Sequence, residues 1–181
     1  MSSPLLTRIS LTALFAAITA AGAFIVIPVG PVPIVLQNAF ALLSGLILGP
    51  VHGTAAVGLY LIAGILNFPV FAGGSGGIVR FAGPTGGFLV GYLLAAFTAG
   101  IIAGRPGIRT PLPRLIAAVA AGLLVVYVPG VSWLKISRKL DLEKAVLAGF
   151  VPFIIGDVIK GIAAVFIAKR LRVVAAERLY E

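Results

Sequence analysis

Two charged residues, Asp157 and Lys160, lie inside an apolar stretch near the end of the sequence, GFVPFIIGDVIKGIAAVFIAKR. A spacing of three places both side chains on one face of a helix. A charge within a membrane-spanning helix costs about 3 kcal/mol on insertion scales, so it usually faces the protein interior or a cavity. The two residues could form a self-satisfied ion pair. We favour a binding site that offers an acceptor for N–H groups and a cation for a carboxylate.

A second candidate is the glycine-rich stretch GGSGGIVRFAGPTGG, which covers Gly73–Gly87. It does not match a phosphate-binding loop. It lacks the lysine of a P-loop, and Val79 occupies the position where a dinucleotide-binding motif needs its last glycine. We predict instead a mobile lid in which glycine lets the backbone approach a ligand closely. Arg80 within it could meet an anion at a pocket mouth, or could be an ordinary solvated arginine.

Other polar residues suggest binding rather than catalysis. Gln37 and Asn38 follow a proline turn and could either meet a polar ligand or cap a helix. The sequence has no cysteine and only one histidine, His52, so neither a thiolate nor a histidine-based zinc set is expected. No Gly-x-Ser-x-Gly motif is present either. We therefore expect neither an enzyme nor a resident cofactor.

The composition places these residues in a membrane. The chain has 181 residues, of which 60% are hydrophobic and 10% charged, against about 25% charged in a typical soluble domain. Between Ile9 and Val79 no Asp, Glu, Lys or Arg occurs. We predict an all-α integral membrane protein with a single domain over residues 1–181. The net charge of +9 is assigned to loops and helix ends near lipid headgroups, and not to nucleic-acid binding.

The apolar runs predict six transmembrane helices, since a helix needs about 20 residues to cross the hydrocarbon core. They cover roughly Ile9–Val29, Ile34–Leu48, Val51–Leu66, Pro84–Ala103, Arg114–Val128 and Ala145–Ala168. The second and third are short and nearly contiguous, so they are expected to form a tight helical hairpin.

The remaining segments and the basic residues predict the orientation. The proline turn Pro28–Pro33, the glycine-rich loop Asn67–Gly83 and the amphipathic segment Val131–Lys144 are expected outside, the last as an interfacial helix or lid. Eight basic residues then lie on the side of the termini and five on the other side. The eight are Arg8, Arg105, Arg109, Arg114, Lys169, Arg170, Arg172 and Arg178. This bias predicts that both termini are cytoplasmic.

Six segments occur in an order and spacing typical of one family. They are PVPIVLQN (Pro31–Asn38), SGLILGPVHGTAAVGLYLIAG (Ser44–Gly64), FPVFAGGSGG (Phe68–Gly77), GPTGG (Gly83–Gly87), Trp133-Leu134 and PFIIGDVIK (Pro152–Lys160). Together they resemble the BioY family, the biotin-specific substrate-capture subunits (S components) of energy-coupling factor (ECF) vitamin transporters. The resemblance covers most of the chain.

The resemblance implies a six-helix S-component bundle with a biotin pocket on the outer face, covered by loops. It also implies uptake across the cytoplasmic membrane together with a transmembrane coupling (T) subunit and two cytoplasmic ATPases. The alanine face of the first helix, with Ala13 and Ala17, is similar to the family's docking motif for the coupling subunit. Its spacing alone fits helix packing within the bundle equally well.

The resemblance also assigns roles within the pocket. Asp157 would face the ureido ring of biotin and Lys160 the carboxylate. Ser75, next to Gly74, occupies a position where some members have an asparagine directed at the ureido ring. Some members carry an arginine where this chain has Leu89, and our candidate for the missing cation is Arg80.

Apolar wall residues complete the expected pocket. Biotin has an apolar bicycle that requires a close-fitting wall and a few polar partners. Phe71 and Phe153 are the candidate wall residues, and Gln37 is a candidate polar contact. Two alternatives remain open, namely an S component for another vitamin and a membrane scaffold without a small ligand.

Overall fold

The computed structural model describes residues 4–106 and 110–180 and is almost entirely helical. The elements, in chain order, are α1 (Pro4–Gly22), β1 (Val26–Ile27), β2 (Ile34–Val35), α2 (Gln37–Ile65), α3 (Val79–Ala82), α4 (Gly86–Ala103), α5 (Leu112–Arg138), α6 (Leu142–Gly149), a 3₁₀ turn (Val151–Phe153) and α7 (Ile154–Tyr180). The two short strands pair antiparallel, with Val26 opposite Val35. They form a ribbon where the sequence predicts a proline turn.

The helix α2 is a hairpin and not a straight rod. Gly49 interrupts it with φ 79° and ψ −177°, a conformation outside the helical region. The hydroxyl of Tyr60 donates to Oε1 of Gln37 at 3.1 Å. In a straight helix these two residues would be about 34 Å apart, at 1.5 Å per residue. The chain therefore reverses at Gly49, and the hairpin predicted from the sequence is present.

Small residues hold the two arms of the hairpin, residues 37–48 and 50–65, close together. The Ser44 hydroxyl donates to the carbonyl of Gly53 at 3.0 Å. A Cβ atom at Gly53 would overlap the backbone of Ser44 and of Gly45. Close approach of this kind needs residues without bulky side chains, as is common between helices in lipid.

Within the described ranges, five helical stretches are long and apolar enough to cross a membrane. Because α2 consists of two arms, the bundle contains the six apolar segments that the sequence predicts. Helix α4 packs between α2 and α5. Large apolar side chains such as Leu124, Val128 and Ile155 point outward, with 62%, 70% and 77% of their surface exposed. This is the arrangement expected of a bundle whose surroundings are lipid.

The first predicted helix boundary was wrong. The sequence places the end of the first helix at Val29, but α1 ends at Gly22. The chain then turns into the ribbon, and the backbone N–H of Leu36 donates to the Gly22 carbonyl at 3.2 Å. The segment after α1 therefore bonds to the start of α2, which ends the helix before its apolar run does.

The predicted end of the fifth helix at Val128 was also wrong, and Val131–Lys144 is not a segment separate from that helix. Helix α5 continues through Pro129 to Arg138, and Lys139 ends it in a left-handed conformation with φ 51°. A proline usually kinks a helix because it lacks an N–H and its ring meets the preceding turn. Here the Pro129 carbonyl packs against Gly87 of α4, where a Cβ atom would overlap it. Packing on α4 thus keeps the helix continuous.

The last helix is shifted along the chain relative to its prediction. Pro152 lies in the 3₁₀ turn that separates α6 from α7, since a proline cannot supply the N–H that a continuous helix requires. Helix α7 then runs past the predicted end at Ala168 to Tyr180. Ala175 is buried there, so packing extends the helix through the basic tail.

Arg172, which the sequence assigns to the cytoplasmic tail, is buried with 1% of its surface exposed. Its guanidinium donates to the carbonyl oxygens of Leu46, Ala103, Gly104 and Arg105 and to the hydroxyl of Thr110. The carbonyls at a helix C-terminus lack partners in their own helix. Arg172 supplies hydrogen-bond donors to the carbonyls at the end of α4. It thereby joins α4 and the first arm of α2 to its own helix, α7.

The core consists of two clusters along the bundle. One contains Tyr60, Phe71, Phe88 and Tyr92, close to the glycine-rich loop. The other contains Leu46, Ala99 and Ala168 among its members, at the opposite end. We call residues 67–83 the lid loop and the end of the bundle that carries it the lid end. The candidate functional site lies at the lid end.

Candidate functional site

Asp157 and Lys160 form a buried ion pair in the first turns of α7. The ammonium nitrogen of Lys160 lies 2.7 Å from Oδ1 of Asp157. The Lys160 side chain is 13% exposed and the Asp157 side chain is 6% exposed. The amide of Asn38 donates to the same oxygen at 3.0 Å. The hydroxyl of Tyr127 donates to the other oxygen, Oδ2. The carboxylate is thus held by three donors from three helices.

Lys160 is equally well satisfied. Its ammonium donates to Oδ1 of Asn38 and to the carbonyl of Val35, both at 3.0 Å, in addition to Asp157. An ammonium group carries three protons, so all of them have partners within the protein. We call Asn38, Tyr127, Asp157 and Lys160 the Asp157 network. Its completeness offsets the cost of burying two charges.

One opening at the lid end is a cavity of about 350 Å³, which we call the lid cavity. Its lining comes from the ribbon, the start of α2, the lid loop, α4 and the end of α5. The lining residues are Val26, Pro31, Val32, Pro33, Val35, Gln37, Phe71, Ala72, Gly73, Ser75, Val79, Arg80, Gly83, Pro84, Thr85, Phe88, Leu89, Tyr92 and Arg138. A volume of roughly 300–1,000 Å³ with mostly apolar walls is typical of small-molecule sites.

The Asp157 network lies behind one wall of the lid cavity. It borders a separate crevice of about 20 Å³, which is room for about one water molecule. Crevice and cavity share five lining residues, namely Val32, Pro33, Val35, Phe88 and Tyr92. The charged pair and the lid cavity therefore adjoin, and this thin wall separates them.

The predicted site residues are distributed over these two spaces. Gln37, Phe71, Ser75 and Arg80 line the lid cavity, together with Leu89. The crevice is lined by Phe153, Asp157 and Lys160. Gly74 lines neither space, and a Cβ atom built there would lie 3.2 Å from the ring of Phe24.

Two of the predicted contact residues already have partners within the protein. The hydroxyl of Ser75 donates to the Ala72 carbonyl at 2.8 Å, within the lid loop. Gln37 is 3% exposed and accepts the Tyr60 hydroxyl. The Gln37 amide also hydrogen-bonds the Tyr92 hydroxyl. The hydroxyl oxygen of Ser75 and the second N–H of the Gln37 amide remain the groups that these residues could offer to a ligand.

Sequence reasoning missed three residues of the site. Tyr92 lines both spaces, Tyr127 completes the Asp157 network and Arg138 lines the lid cavity. A signal existed for the tyrosines, because a hydroxyl within an apolar span requires a partner. Arg138 was assigned to an interfacial segment, and its place at the cavity follows from the continuation of α5.

The lid loop is bonded to its surroundings at several points. The indole N–H of Trp133 on α5 donates to the Gly83 carbonyl at 2.9 Å. The N–H of Gly73 donates to Ala23 O after α1 at 3.0 Å, and that of Gly77 to Gly64 O at the end of α2 at 2.7 Å. Single hydrogen bonds contribute about 1 kcal/mol each, and these contacts hold the lid loop against α1, α2 and α5.

The alanines of α1 divide into two faces. Ala16 is buried in the core and Ala20 packs against it. Ala13 and Ala17 are exposed on the outside of the bundle. The residues assigned to helix docking are therefore the ones that a partner could reach.

The chain is similar to known proteins over most of its length. The model of the BioY family matches residues 1–177. A probable biotin transporter BioY of Pyrococcus horikoshii is 43% identical over 165 residues, which cover 91% of this chain and 96% of that protein. A biotin transporter BioY of Thermotoga maritima is 41% identical over 165 residues, with 91% and 95% covered.

A solved structure shares the architecture. It is the crystal structure at 2.1 Å of the S-component for biotin from an ECF-type ABC transporter, and it matches with a TM-score of 0.86 and 34% identity. The match covers 95% of this chain and 94% of that one. Similarity at this level extends over both the bundle and the lid end, and the chain belongs to the BioY family.

Proposed function

We propose that this protein binds biotin at the outer face of the cytoplasmic membrane and acts as the substrate-specific subunit of an ECF-type ABC transporter. The observation that carries this proposal is the lid cavity. It has a suitable volume, apolar walls and two arginines, and it belongs to a chain whose relatives are named biotin transporters. No chemical conversion is assigned to the protein, because its proposed role is capture and delivery.

The chemistry of biotin fits the groups around the cavity. Phe71 and Phe88 offer apolar walls for the bicycle, while Gln37 and Ser75 offer polar atoms for the ureido group. The carboxylate requires a cation within the apolar surroundings, where an unpaired charge is costly. The cavity provides both kinds of contact within one enclosed space.

We propose that Asp157 and Lys160 reach the ligand by partner exchange. In the closed network all three ammonium protons of Lys160 already have acceptors. A ligand that displaces the wall between cavity and crevice would replace one of these internal contacts by one of its own. The exchange conserves the number of hydrogen bonds, so the buried charges stay satisfied throughout.

Transport requires partners in this proposal. Because the sequence contains no P-loop, ATP hydrolysis is proposed to come from two cytoplasmic ATPase subunits. Ala13 and Ala17 on the outer face of α1 are proposed to dock the transmembrane coupling subunit, since small residues let two helices approach closely. Both termini are proposed to face the cytoplasm, with the lid end outside.

Titration of the purified protein with biotin in nanodiscs tests the binding function. A ligand that binds only the folded state raises the free energy of unfolding by about 2.7 kcal/mol at a hundred times its Kd. We expect biotin to raise the melting temperature in a saturable way. Thiamine and riboflavin should neither do so nor displace labelled biotin.

The same titration separates the two alternatives. An S component for another vitamin would be stabilised by that vitamin and not by biotin. A membrane scaffold would be stabilised by none of the compounds. Either result would remove the biotin assignment.

A further inference from the structure

Two arginines line the lid cavity, and neither has a partner in the described parts of the chain. Arg80 lies on the short helix α3 and Arg138 in the last turn of α5. The only ion pairs among the described residues are Asp157 with Lys160 and Asp141 with Lys144, the latter at 3.2 Å. Asp141, the acidic residue nearest to Arg138 in sequence, is thus already paired. The cavity has cationic groups on its wall and no carboxylate to neutralise them.

Lys160 does not serve as the cation of the lid cavity in this arrangement. It borders the adjoining crevice and has an acceptor for each of its three protons. An anionic ligand that enters the cavity therefore meets an arginine before any rearrangement at Lys160. The position Leu89 lines the same cavity with an apolar side chain and offers no charge.

The two arginines differ in how firmly their backbone is held. Helix α3 has four residues, and none of them is buried. Arg138 follows Leu134, one turn earlier on α5, whose side chain is completely buried. The indole of Trp133 in the same turn is hydrogen-bonded to Gly83. A guanidinium on a fixed helix loses less freedom when it binds a ligand, so Arg138 is the better-placed group.

We propose that Arg138 is a specificity-determining residue that binds the carboxylate of the ligand in the lid cavity. This inference rests on the proposed function, and it concerns which residue recognises the acidic group. The planar guanidinium presents two parallel N–H donors to a carboxylate, a geometry that a lysine ammonium does not reproduce. The cavity accordingly selects ligands with an acid group over their neutral derivatives.

The test compares biotin with its methyl ester, a neutral derivative, in Arg138→Gln, Arg138→Lys and unaltered protein in nanodiscs. Lys135→Gln is the matched control, because Lys135 is exposed on the same helix one turn earlier and does not line the cavity. We expect Arg138→Gln to weaken biotin binding at least tenfold and ester binding less than twofold. The biotin affinity of Arg138→Lys should lie between those of Arg138→Gln and the unaltered protein. The biotin affinity of Lys135→Gln should equal that of the unaltered protein.

Several results would overturn the assignment. The first is that Arg138→Gln binds biotin with an affinity within twofold of that of the unaltered protein. An equal loss for biotin and ester, which would indicate a merely structural role, is another. A third is a carboxylate-dependent loss in Arg80→Gln that Arg138→Gln lacks. If the unaltered protein binds no biotin, the proposed function itself fails, and the assignment fails with it.

Discussion

At the scale of single residues, the Asp157 network explains how a membrane helix tolerates two charges. Each charged group is paired, and every remaining hydrogen-bonding position on the ammonium is filled. Removing one partner of a buried pair leaves an uncompensated charge, which costs more than the intact pair contributes. A substitution that removes a charge should therefore destabilise the network more than one that removes a neutral hydrogen-bonding partner.

The first residue-scale prediction concerns Asp157→Asn. We expect it to weaken biotin binding at least tenfold, because hydrogen bonds to charged groups contribute about 1.5–3 kcal/mol and Lys160 loses its counter-charge. Binding by isothermal titration calorimetry measures the effect. The matched control is Tyr127→Phe, which removes one neutral donor to the same carboxylate and keeps the ring. Binding by Asp157→Asn within twofold of the unaltered protein would instead mean that the ion pair is structural.

At the scale of elements, the hairpin of α2 brings the site together. The reversal at Gly49 returns the chain to the lid end, so that Tyr60 on the second arm can bond Gln37 at the start of the first. The second arm also leads directly into the lid loop. A straight helix of the same length would separate these groups by the thickness of the bundle.

Substitution of Gly49 tests the hairpin. Its φ of 79° and ψ of −177° suit glycine but strain a residue with a Cβ atom, at a cost of about 1–3 kcal/mol. We expect Gly49→Ala to lower the melting temperature. Gly58→Ala is the control, because a Cβ atom there meets only the Leu93 side chain at an ordinary 3.8 Å. Equal melting temperatures for the two variants would contradict this account of the turn.

A second element-scale feature is the pair of connections between α7 and the first arm of α2. At the lid end Lys160 bonds Asn38, and at the opposite end Arg172 bonds the carbonyl of Leu46. Arg172 also bonds the last carbonyls of α4. Polar contacts at both ends thus fix α7 against the bundle, although most of its apolar surface faces outward.

At the scale of the whole molecule, the bundle has two chemically different ends. The lid end carries the cavity, its two arginines and the Asp157 network. The described ends of the chain, the start of α1 and the end of α7, both lie at the opposite end. Capture from outside requires the lid end to face away from the cytoplasm, which agrees with the excess of basic residues on the side of the termini.

Cysteine labelling tests this orientation cleanly, because the sequence contains no cysteine. Val79→Cys places a thiol on the lid loop, where Val79 is 76% exposed. Arg105→Cys places one at the other end. In intact cells, a membrane-impermeant maleimide should label the first variant and reach the second only after the membrane is permeabilised. The reverse pattern would place the lid end in the cytoplasm.

Much of the architecture could be predicted because it depends on local properties of the chain. The apolar runs predict the number of segments, and Gly49-Pro50 between two short runs predicts the hairpin. Boundaries were less predictable where packing decides them. Helix α5 passes through Pro129 because of Gly87 on a neighbouring helix, and α7 extends beyond Ala168 because the tail packs on the core.

By itself, the sequence determined that this protein is a membrane bundle with a charged pair inside an apolar helix, since hydropathy and spacing are properties of short segments. The tertiary structure decided which groups surround that pair and which two cations line the cavity. Lys160 and its acceptor Val35 are 125 positions apart, and Arg138 reaches the cavity only because α5 packs beside the lid loop. Such contacts depend on which helices become neighbours, and that is settled only when the whole bundle packs.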